Sequence, residues 1–113
     1  MNININKVKI VVTVPKENAD ELRDTMFKEG AGIKGNYTNC SISTKCIGTF
    51  KPNDKASPYI GEANKLEIVE EIKLEVICDV SIVKKVLKRL REAHPYEEPG
   101  IDIIPLLDES IFE

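Results

Sequence analysis

From Val8 to Val14 the chain alternates, with Val8, Ile10, Val12 and Val14 on one side, Lys9 and Thr13 on the other, and Pro15 closing the run. A period of two predicts a strand with one buried face. Between Lys16 and Glu29 the period lengthens. Ala19, Leu22, Met26 and Phe27 recur at helical spacing, while Glu17, Asp20, Glu21 and Asp24 occupy the early turns, where carboxylates favour the helix dipole. Gly30 and Gly32 then supply a left-handed stop. Asn39 to Thr44 reads as a short strand with Cys40, Ile42 and Thr44 on one face. A third strand runs from about Glu70 to Cys78, where Ile72, Leu74, Val76 and Cys78 alternate with Glu71, Lys73 and Glu75. Asp79 caps a second helix that turns Val80, Val83, Val86, Leu87 and Leu90 inward and Lys84, Lys85, Lys88, Arg89 and Arg91 outward. Ile101 to Leu106 is the last strand.

The order strand, helix, strand, strand, helix, strand, with right-handed crossovers, predicts an α+β ferredoxin-like plait: four antiparallel strands with both helices on one face. Pro105 cannot donate to a ladder, so the last strand lies at an edge or leaves the sheet there, and an edge invites pairing with another subunit. Between the second and third strands lies a long connection, about Lys45 to Leu66, containing Gly48, Pro52, Pro58 and Gly61. Connections of that length in a small domain are commonly binding elements; the rival reading is a connection that packs on its own sheet or at a subunit interface.

Composition narrows the classes. The 113 residues fit one domain, and 42% apolar with 31% charged residues is globular composition. No run approaches the roughly twenty apolar residues that span a bilayer, and the N-terminus shows no export signal, so a cytoplasmic chain without membrane contact is expected. A net charge of −3 gives no general attraction to nucleic acid. Cys40, Cys46 and Cys78 are an odd set without paired spacing, which argues for reduced thiols rather than a disulfide framework or zinc knuckle. Cys40 and Cys78 read as small core residues; a reactive Cys40–Cys46 pair is the rival reading.

The run His94-Pro95-Tyr96-Glu97-Glu98-Pro99 is not required by core packing. Its prolines stop the second helix near His94 and return the chain to the sheet after Pro99. His94, Glu97 and Glu98 are chemically acceptable ligands for a divalent metal; the simpler reading is a turn fixed by its prolines beside a helix C-terminus. Exposed amides at Gly30, Gly32 and Gly35 could cradle an anion, or the glycines merely permit positive φ. No lysine-bearing phosphate loop follows, and no cofactor motif is evident. Phe50, Pro58, Tyr59 and Glu62 in the long connection, together with Tyr96, are the candidate contacts for a partner or ligand.

Val14-Pro15, Gly30-Ala31-Gly32, Gly35-Asn36-Tyr37, Cys40-Ser41, Gly48-Thr49-Phe50, Pro58-Tyr59-Ile60-Gly61 and the His94–Pro99 run, in this order, resemble the insert domain of the Nif-three-like family. That family is also labelled the GTP cyclohydrolase I type 2 homologues, and its insert is a plait similar to CutA and P-II proteins. The resemblance covers the insert alone. It therefore implies that the family's dinuclear metal core, which needs several histidines, is not encoded by a chain with one. The sequence departs from the pattern near Ala63-Asn64, where a glycine is expected, and in carrying Cys46 within the connection. Taken together, the expectation is a non-enzymatic binding or regulatory module, homo-oligomeric and by analogy with CutA and P-II trimeric, recognising a protein partner or small ligand through inter-subunit clefts and the 45–66 connection. The rival is a divalent-metal protein using His94, Glu97 and Glu98. A third reading is catalysis, which would need a site assembled from more than one chain, since the single chain shows no nucleophile–base pair.

Overall fold

The computed structural model describes residues 3–113. Its elements are β1 (Lys7–Pro15), α1 (Ala19–Lys28), β2 (Ile42–Phe50), β3 (Glu67–Asp79), α2 (Val83–Ala93) and β4 (Ile101–Leu106). The sheet order is β2-β3-β1-β4 with every pairing antiparallel. This is the ferredoxin-like plait that the alternation predicts.

The apolar sides of β1 and β3 meet both helices in one core. Val8, Ile10, Val12 and Val14 pack with Leu74, Val76 and Cys78, and with Leu22, Met26, Val86 and Leu90 from the helices. Helix α1 ends in a Schellman motif: Gly30 N–H donates to Phe27 O at 3.0 Å and Ala31 N–H to Met26 O at 3.1 Å. Gly30 stands at φ +100°, a conformation that costs glycine little, and Ala31 is buried beneath it. The Gly32 amide donates to Ile77 O at 2.7 Å. Two of the three amides considered for an anion cradle thus already serve the chain's own carbonyls. Asp79 accepts from Ser81 N–H at 2.9 Å and caps a 3-10 turn, Val80–Ile82, that leads into α2. Val80 therefore lies in that turn and is exposed, and Ile82 packs against the core in its place.

The main departure is in the β2–β3 hairpin. β2 begins later than expected and continues to Phe50, and β3 begins at Glu67, so residues 45–50 are strand and the irregular connection is 51–66. Cys46 and Gly48 are strand residues, and Phe50 is the last residue of β2 rather than a loop residue. Cys40 precedes β2, half-buried, and does not share a strand face with Ile42, which is exposed. Strong cross-strand pairing explains the shift: Cys46, Ile47, Gly48, Thr49 and Phe50 match Glu71, Glu70, Val69, Ile68 and Glu67 one to one. A strand the length of β3 spans about 43 Å. The fold is accordingly elongated, at 51 × 30 × 24 Å. No helix among the described residues is long and apolar enough to cross a membrane.

Candidate functional site

The proline run makes a corner that is fastened to β1. The residue before a proline is biased toward extended backbone, and His94, before Pro95, sits at φ −73° and ψ 133° where α2 stops. Thr13 lies beyond the reach of β4, so both of its peptide groups are free to hold the corner: its N–H donates to Gly100 O at 3.2 Å, and its C=O accepts from His94 Nε2 at 2.8 Å. The second ring nitrogen, Nδ1, accepts from Tyr96 N–H at 3.0 Å. A carbonyl on one side and an N–H on the other fix the neutral tautomer with its proton on Nε2. Burial holds the imidazole below its ordinary pKa, against opposing contributions from the Thr13 carbonyl and the Glu71 carboxylate.

His94 so held has no lone pair left for a metal. Glu97 is also engaged, both carboxylate oxygens accepting from Ser57 N–H at 3.2 Å. No three His, Cys, Asp or Glu side chains among the described residues gather in a metal-holding group.

The Glu97–Ser57 contact draws the 51–66 connection over the corner. Asn64 reinforces that course: its N–H donates to Pro52 O and its Nδ2 to Asp54 Oδ1, each at 2.6 Å. It does so at φ +64°, in the left-handed region. The glycine expected near Ala63-Asn64 is thus replaced by the residue that best tolerates that backbone after glycine.

Between connection and corner lies a cleft of about 690 Å³, within the range of small-ligand sites. Phe50, Pro58, Tyr59 and Tyr96 all line it, as do Glu97 and Glu98. Tyr96 is at its centre, with the Phe50 ring edge-on at 5.8 Å and the Tyr59 ring tilted at 6.3 Å. Glu62 is not in the wall; it is ion-paired with Lys65 at 3.0 Å on the exposed side of the connection.

The residues that sequence reasoning passed over are Glu71 and Gly48. Glu71 alternates with core residues and reads as a solvent-facing charge, yet it is only 6% exposed. It lines the cleft, and Tyr96 Oη donates to its Oε2 at 3.1 Å. Burial and the neighbouring Glu71 charge hold the Tyr96 phenol far above its ordinary pKa, so it remains a proton donor. Gly48 makes room for the acid: a Cβ there would collide with Glu71 Oε1. An isolated glycine within a strand is a signal of such close approach, hidden here because the segment reads as loop. Cys46, opposite Glu71, has its thiol pKa raised by burial and then by the Glu71 charge, which works against a reactive thiolate. Cys78 is buried and also shifted upward, by burial first.

No family model matches the chain. Its sequence is 43% identical over 102 residues to a protein named GTP cyclohydrolase 1 type 2 homolog from Halalkalibacterium halodurans, covering 90% of this chain and 27% of that one. Among solved structures, a Bacillus cereus protein related to NIF3 superposes with a TM-score of 0.77 at 38% identity, covering 93% of this chain and 27% of its own. CutA from Xylella fastidiosa superposes with a TM-score of 0.67 at 19% identity, covering 89% and 84%, a likeness of fold. The chain spans about a quarter of the length of the curated relatives it matches. The resemblance to a Nif-three-like segment with a CutA-like plait is borne out.

Proposed function

We propose that this protein is a non-enzymatic, homo-oligomeric recognition module that receives a partner or small ligand in the cleft between the 51–66 connection and the His94–Pro99 corner. The observation that carries this reading is convergence: Phe50, Tyr59 and Tyr96, from β2, the connection and the corner, line one cleft. Aromatic walls with a few fixed polar groups are the usual make-up of a binding site. A catalytic reading has less support, because the two ring nitrogens of His94 are engaged by backbone and the Cys46 thiol is shifted away from its thiolate.

Assembly is supported by the part of the sheet face that the connection and the corner leave uncovered. Both helices pack on one side, and the other side presents Ile42 and Ile104 at 55% and 45% exposure. Apolar residues exposed on an open sheet face mark an interaction surface, and the CutA-like plait makes a second and third copy the expected cover. Native mass spectrometry of protein purified from its own host tests both parts together. A trimer retaining a small molecule or protein is the expected result. A monomer at every concentration would overturn the assembly, and a cleft that stays empty against extracts of that host would overturn recognition.

A further inference from the structure

Glu71, in the wall of the cleft, has one oxygen engaged and one open to an incoming donor. Glu71 Oε2 accepts the Tyr96 hydroxyl, whereas Oε1, against the Gly48 backbone, accepts no hydrogen bond among the described residues. No buried side-chain oxygen among the described residues lacks a partner, so Oε1 is reached by solvent from the cleft, at a position where Gly48 and Tyr96 are both arranged around the acid. A donor entering the cleft takes the place of water at that oxygen. The remaining charges on the wall favour a positive donor, since three carboxylates, Glu71, Glu97 and Glu98, face two ammonium groups, Lys51 and Lys55. The aromatic walls say which kind. A guanidinium is planar, weakly hydrated, stacks on aromatic rings and offers parallel N–H groups to both oxygens of a carboxylate, including the second lone pair of Oε2. An ammonium is compact and strongly hydrated, and loses more on entering an aromatic cleft.

We infer that the cleft is a guanidinium site: Glu71 pairs with the guanidinium of an arginine side chain or a free guanidino compound, and the exposed Tyr59 ring offers a face on which its plane stacks. This rests on the reading of the cleft as the recognition site and names its ligand chemistry.

The test is titration of the isotope-labelled protein with blocked Gly-Arg-Gly, its citrulline analogue, and methylguanidine, followed through backbone amide resonances. Saturable shifts at Gly48, Glu71 and Tyr96 are expected with the arginine peptide and absent with the neutral citrulline peptide. Glu71→Gln should weaken binding about tenfold or more, the scale of a lost charged hydrogen bond. Tyr59→Ala should weaken it by about two- to fivefold, the scale of one exposed cation–π contact. Because Tyr59 is exposed, that variant carries the test should Glu71→Gln not fold. Tighter binding of the peptide than of methylguanidine assigns the site to protein arginines, and equal binding assigns it to the free group. Equal response to citrulline, full affinity in both variants, or still amides up to millimolar probe would each overturn the inference. Should the arginine probe fail while a molecule retained in native mass spectrometry shifts the same amides, only the guanidinium assignment falls and the recognition reading stands.

Discussion

Strand β3 passes through two regions that treat the same side-chain alternation in opposite ways. At its C-terminal half, Leu74, Val76 and Cys78 are fully buried under the helices. At its N-terminal half the apolar Ile68 is 67% exposed, and the charged Glu71 is buried. The period of two never breaks, and what changes is the cover. Helices α1 and α2 lie over one face of the first region only; in the second, the connection and the corner cover the other face. Burial in the first region follows polarity and serves stability. In the second it runs against polarity, which is the pattern of a region shaped by something other than folding.

The largest expected effect lies under the helices. Leu74→Ala removes a fully buried side chain at the middle of the core and should destabilise by about 2–5 kcal/mol, read as a fall in the urea midpoint with an unchanged slope. Cleft binding measured at a temperature where the variant is folded should be unaltered. A loss below about 1 kcal/mol would mean that the covered half is less tightly packed than its complete burial implies.

Gly48→Ala moves the contest to the other half. The new methyl group meets the Glu71 carboxylate, the mobile end of a side chain, so the acid must swing away from Tyr96 rather than the strands part. Overpacking of this kind costs about 1–3 kcal/mol, and Tyr96 loses its acceptor. The phenol pKa, followed by ultraviolet absorbance, should fall back toward ordinary tyrosine, since Glu71 contributes to holding it up. An unmoved Tyr96 titration would show that burial alone sets it.

The contrast between the two regions also explains what was legible in the sequence. Every core residue of β1 and most of those in α1 and α2 could be named from spacing, because there periodicity and burial agree. The exceptions are local: Val80 is displaced by a 3-10 turn, and Cys40 sits before its strand. The candidate site was legible by residue type, with Phe50, Pro58, Tyr59 and Tyr96 converging, and illegible where it depends on register. Only the pairing of Cys46 with Glu71 reveals that Gly48 is a strand residue beside an acid. No single-sequence pattern reports which residue stands across a hairpin whose connection is long and irregular. The hydrogen bonds that hold His94 were not legible, because its partners, Thr13 and Tyr96, offer backbone groups, which sequence does not distinguish.

A smaller effect should appear with pH at the corner that leads from α2 to β4 and covers the second region. His94 is depressed below the ordinary 6.5 by burial, so the unfolded chain takes up the proton first. Its contribution is whole above pH 6.5 and is lost as pH falls from there toward the lower folded value, where the charged ring must give up the Tyr96 N–H. Urea midpoints measured between pH 8 and pH 5 should fall in the acid half of that range. His94→Gln should flatten that fall, and an equal slope in the variant would assign the acid sensitivity elsewhere.

The smallest effect is predicted for the apolar residues that point away from everything. Ile68→Ser removes an exposed side chain from the uncovered part of the hairpin, beyond the helices and across from Thr49. In a dilute monomer such a change should stay within about 0.5 kcal/mol. The measurement sharpens the comparison when it is repeated across protein concentration. If destabilisation stays small when dilute and grows as the concentration rises, Ile68 is covered by a second copy, and the two halves of β3 differ only in whose atoms complete the burial. If it stays small throughout, the outer half of the hairpin is bare in solution, and the two halves of β3 differ in whether anything covers them at all.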